Sequence, residues 1–100
     1  MASHISLKRL FNFYNRRYFN GELPADTQLV WSPLDGAHGK CWPVDKIIHI
    51  DPPLQSHVSY LRIVLLHEMV HLKHPRATHG KLFHSEIDRL YAAGAFKGLL

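Results

Sequence analysis

Apolar residues recur at Leu7, Leu10, Phe11, Tyr14, Tyr18 and Phe19, with basic and polar residues between them. That three-to-four spacing predicts a helix with one buried face over 5–20, stopped by Gly21 and Pro24. The period then shortens. "TQLVWS", 27–32, puts Leu29 and Trp31 on one side and Val30 on the other, which predicts a strand. A turn-rich "PLDGAHG" follows, and then "KCWPV" (40–44) and "KIIHID" (46–51) predict two more strands close enough to pair as a hairpin. Pro43 inside the first of them argues for a sheet edge, where a missing N–H does no harm and free backbone groups can pair with an extended peptide. "DPPLQ" breaks the chain, and Ser56 is the expected N-cap of a long helix through 57–74 that Pro75 ends. Leu82, Phe83, Ile87, Leu90 and Tyr91 predict a last helix ended by Gly94, with the tail "AFKGLL" unassigned. The fold class expected is α+β: an N-terminal helix, a small three-stranded antiparallel or mixed sheet, an active-site helix and a C-terminal helix.

Composition narrows the class. With 100 residues, 46% of them hydrophobic and 20% charged, the chain reads as a single small globular domain over 1–100. One cysteine, Cys41, allows no internal disulfide and fits a reducing compartment, so a metal is the natural staple for so small a core. The start, "MASHISLKRLFNFYNRRYFN", does not read as a signal peptide, and the apolar run "IVLL" is far too short to span a membrane. The expectation is a soluble cytoplasmic protein with no membrane partner; its oligomeric state is not readable. Part of the net charge of +4 comes from Lys8, Arg9, Arg16 and Arg17, a stripe able to meet nucleic-acid phosphates but more simply read as a solvated helix face.

The candidate chemistry lies in "LLHEMVHLKHPRATHGKLFH", 65–84. His67 and His71 are four residues apart, so on a helix both imidazoles reach one ion. Glu68 projects beside them without being needed as a ligand, free to take a proton from an activated water. Two histidines and a glutamate in so apolar a helix are costly unless something satisfies them. A catalytic zinc takes three protein ligands and leaves a position open to water. His74 lies seven positions from His67, roughly 10 Å along the axis, which is too far for one tetrahedral ion; it is better placed at the helix end, near the negative pole of the dipole. His79, His84 and Glu86 remain as candidates for the third ligand, and geometry prefers His79 modestly, because a loop residue can swing back over the helix.

Taken together, "YFNGELP" after an amphipathic helix, a strand with "WS", "GKCW", "LLHEMVH" and "HGKLF" resemble the SprT-like (Spartan-like) zinc metallopeptidases and the minimal gluzincin-type peptidase domain. The likeness covers roughly residues 10 to 91. It implies that His67, His71 and His79 bind zinc (Zn2+) and that Glu68 is the general base, with His84 and Glu86 left at the rim. The segment between His71 and His79 is short for that family, and no zinc ribbon or nucleic-acid tail follows the motif, which weakens any DNA-linked expectation.

The reading that follows is a zinc-dependent endopeptidase acting on a protein or peptide laid along the 40–44 strand, with an oxyanion donor supplied by His84, Arg89 or Tyr91. Two other readings compete with it. One is a zinc-stabilised binding domain with little turnover, its cleft filled by the apolar tail or by a partner. The other is a nucleic-acid-associated protease using the basic first helix.

Overall fold

A computed structural model describes residues 6–76 and 78–100. The first helix, α1, is Leu7–Tyr18, capped by the Ser6 side chain accepting from the Arg9 N–H at 3.2 Å; Ile5, where the spacing starts it, lies outside the described residues. Its apolar stripe is real: Leu7, Phe11 and Tyr14 are buried. Asn20 and Gly21 reverse the chain with positive φ of 53° and 71°. The buried Asn15 side chain donates to the Leu23 carbonyl and accepts from its N–H, both at 3.1 Å, which pins the following segment to α1. Lys8 reaches the same segment through the carbonyls of Ala25 and Thr27, 2.7 Å each. One member of the expected basic stripe is therefore spent on the fold, while Arg9, Arg16 and Arg17 stay exposed.

Three strands, β1 (Gln28–Trp31), β2 (Gly39–Trp42) and β3 (Ile47–Ile50), form a mixed sheet in the order β1-β3-β2. β1 runs parallel to β3 and β2 antiparallel to it. The hairpin is thus present and β2 is an edge strand. Pro43, however, lies just beyond its last residue, in the turn that Lys46 closes with φ 57°, because proline can start a turn more easily than continue a ladder. Ile48 and Ile50 are fully buried on the inner face, and Leu29, Trp31, Gly39 and Cys41 share that face by register.

Ser56 is not the cap of the long helix. The "DPPLQS" run forms its own 3-10 turn over Pro52–Ser56, anchored by buried Leu54, and α2 (Val58–Lys73) starts after His57 with no side-chain cap. Prolines pre-set for the first turn of a helix explain the shift. α2 is buried on most of its circumference: Leu61, Leu65, Leu66, Met69 and Val70 are all 0% exposed. It packs on β2 and β3 on one side and on α3 (Lys81–Ala92) on another. His74 caps α2 and Pro75 follows it, as the sequence predicts. α3 stops at Ala92, where Ala95 N–H bonds the Leu90 carbonyl at 3.0 Å around Gly94 (φ 92°). The tail then folds back and buries Ala95 and Phe96. Helices and sheet thus make the expected α+β arrangement, with α2 at its centre. No described helix is long and apolar enough to cross a membrane.

Candidate metal centre

One turn of α2 places His67 and His71 on the face not filled by leucines, and after the break at Pro75 the chain brings His79 back over them. The His79 Nε2 lies 3.2 Å from the His67 Nε2 and 3.1 Å from the His71 Nε2. Nitrogen–metal bonds of 2.0–2.1 Å in a tetrahedron put ligand atoms roughly 3.3 Å apart, so the spacing fits a single small cation. Three imidazole nitrogens turned on one another at this distance are best satisfied together by such an ion, and these three histidines are the metal-binding group found among the described residues. Phe83 is their common platform: its ring centroid is 4.9, 4.8 and 4.9 Å from those of His67, His71 and His79. In the sequence Phe83 reads as a core residue by its helical spacing and as the end of the "HGKLF" segment, without a role beside the histidines.

Glu68 sits beside the cluster on α2, 6% exposed. Burial pushes its carboxyl up to about 7. Burial, and then the neighbouring His71 and His79, push His67 down to about 4, so its lone pair is available at neutral pH. Burial pushes the Cys41 thiol up to about 12, with the nearby Glu68 charge adding to it, so this cysteine is a poor nucleophile.

Glu68 and the three histidines open into one cavity of about 340 Å³ whose other wall is Gly39, Lys40 and Cys41 of β2 with Pro43 of the turn after it. A second cavity, about 270 Å³, continues past Glu68 to His38 and Tyr60. A third, about 300 Å³ and largely apolar, adjoins His67 and is walled by Ile63, Ile87, Tyr91, Phe96 and Leu100 with His84 at its edge. The tail therefore walls this neighbouring cavity and does not line the one that holds Glu68.

Over residues 7–97 the chain matches the SprT-like family. It belongs to that family. Two solved structures share the fold of this SprT-like chain at 18% identity. The metallopeptidase zymogen abylysin of Pyrococcus abyssi superposes with a TM-score of 0.71, covering 94% of this chain and 88% of that one. The metallopeptidase zymogen jannalysin of Methanocaldococcus jannaschii gives 0.64, covering 88% and 80%. No curated protein matches.

The remaining candidate residues of the SprT-like chain sort by contact. Glu86 is not part of the His67–His71–His79 group. It is buried in an ion cluster with Lys73 Nζ at 2.6 Å and Arg89 Nε and Nη2 at 3.0 Å, and with His74 Nε2 3.9 Å away. Burial alone would raise the Glu86 carboxyl, but hydrogen bonds from Arg89 and Lys73 outweigh it and bring it down to about 2. Arg89 also donates to the Tyr18 carbonyl at 2.8 Å, so it is committed to joining α1 and α3 and is a poor oxyanion donor. His84 and Tyr91 both line the apolar cavity beside His67, and both are exposed.

Proposed function

We propose that the chain is a zinc-dependent peptidase. The observation that carries the reading is the convergence of three histidine Nε2 atoms beside a buried carboxylate, in a cavity whose far wall is β2, an edge strand of the sheet. His67, His71 and His79 would hold the ion, and a catalytic zinc with three protein ligands activates water and polarises a carbonyl. Glu68 accepts the proton of the attacking water and returns it to the leaving amine; a carboxyl near neutrality suits both directions of that transfer. The β2 edge, with its outward N–H and C=O groups, holds an extended peptide by backbone pairing and so asks little of its sequence. The apolar cavity beside His67 is the natural place for a large apolar side chain next to the scissile bond. His84 and Tyr91 border that cavity and are the side chains left to support the oxyanion.

The metallopeptidase names of abylysin and jannalysin support this activity over a purely structural zinc site. The open cavity over Glu68, clear of the tail, argues the same way. Cleavage of denatured casein by zinc-loaded protein, lost after chelation and restored by zinc, is the expected result. A protein that binds zinc firmly yet leaves casein and a peptide library intact would instead be a binding domain.

A further inference from the structure

Four glycines, Gly21, Gly36, Gly94 and Gly98, stand at positive φ and have open space where a Cβ would be. Gly39 is different: its φ is not in that region, and its constraint is room. It opens β2 opposite Ile50, whose side chain is fully buried, so by register Gly39 faces α2 as well. A Cβ there would lie 2.7 Å from Val64 Cγ1 and 3.1 Å from both Cγ and Oε2 of Glu68. The strand backbone thus comes as near to α2 as a bare Cα permits, and it does so at the candidate base.

Val64 and Glu68 are one helical turn apart, so Gly39 rests across both. Gly39 lines the cavity that holds the histidines and also the one that runs to His38 and Tyr60. The Glu68 carboxylate therefore occupies a slot between strand and helix, with open space towards either end. Any side chain at position 39 narrows the slot from the strand side, and the nearest atoms it would meet belong to Val64 and Glu68.

We propose that Gly39 is a positioning residue: its missing side chain leaves the slot in which the Glu68 carboxylate lies beside the histidine cluster, and so sets the aim of the base. This rests on the reading of Glu68 as the base of a peptidase. Gly39→Ala keeps the metal site and misplaces the carboxylate. Misplacement of a catalytic group by about 1 Å can cost on the order of 100-fold.

The test compares wild type, Gly39→Ala and Gly39→Ala/Val64→Ala. The double variant removes the 2.7 Å contact but keeps the 3.1 Å contacts with Glu68. All three should bind one zinc per chain by elemental analysis. On a quenched peptide, kcat should fall at least about tenfold in both variants with KM within about threefold, while the double variant regains thermal stability. A crystal structure of Gly39→Ala should show the Glu68 carboxylate displaced or in a new rotamer, with the three histidines unmoved. The proposal is overturned if Glu68 keeps its place in that crystal structure, if kcat of Gly39→Ala stays near wild type, or if the double variant regains kcat together with stability. Should the wild type hydrolyse nothing, the peptidase reading fails by itself, and the position of Glu68 in the variant crystal still decides the role of Gly39.

Discussion

Glu86→Gln tests how the two halves of the site are held together. The Glu86 carboxylate ties Lys73, at the end of the helix bearing His67 and His71, to Arg89 on α3, and Arg89 in turn reaches the end of α1. These contacts close the ends of the loop that carries His79. Moving a carboxyl from 4.5 to about 2 is worth roughly 3 kcal/mol at neutral pH. The Glu86 side chain is only 8% exposed, but that of Arg89 is 42% exposed. Solvent screening of that partner trims the expected contribution to about 2 kcal/mol. The sign follows from a folded-state value below the unfolded one: the contribution is complete above about pH 4.5 and disappears as pH falls towards 2. Urea denaturation of wild type and Glu86→Gln at pH 7, 5, 4, 3 and 2.5 reads the difference directly. We expect a gap of about 2 kcal/mol at pH 7 that closes steadily below pH 4.5. In a domain of this size that gap corresponds to roughly 8–16 °C in Tm. A gap that is constant from pH 7 to 2.5, or below about 0.5 kcal/mol throughout, would refute the assignment of Glu86 to this cluster.

Other outcomes follow from the same geometry. His79→Ala should lose zinc on dialysis while His84→Ala keeps it, measured by elemental analysis; zinc retained in the first variant would remove His79 from the ligand set. Asn15→Ala strands the buried N–H and carbonyl of Leu23 and should cost roughly 2–4 kcal/mol in urea denaturation, so a loss under about 0.5 kcal/mol would show that water replaces the side chain. Ile87→Ala enlarges the apolar cavity beside His67 and should weaken any preference for leucine over alanine next to the scissile bond by about tenfold. An unchanged preference in peptide-library cleavage would place that side chain elsewhere.

Local pattern carried most of the architecture. The spacing of Leu7, Phe11 and Tyr14 and the alternation around Ile48 and Ile50 each name a buried face, and the structure uses both. The His67–His71 pairing also follows from helical geometry alone. What escaped depends on contacts between distant segments. Glu86 and Arg89 looked available to the site until the approach of α2, α3 and α1 showed that they hold one another. Lys8 reads as a surface charge, but its partners are backbone carbonyls 17 and 19 residues away. Ser56 lost the cap because two prolines upstream start a turn of their own. Phe83 shows its role only once the loop has brought His79 over it, and Gly39 only once β2 has been laid on α2.

In the proposed function a zinc ion held by His67, His71 and His79 works with Glu68 to cut peptide bonds. Zinc-loaded wild type and Glu68→Gln, compared side by side for bound zinc and for hydrolysis of a quenched peptide, test it most directly. Both proteins should carry one zinc per chain, the wild type should hydrolyse the peptide, and kcat of the variant should fall by at least about 100-fold. Equal hydrolysis by the two proteins, or no zinc in the wild type, would contradict it.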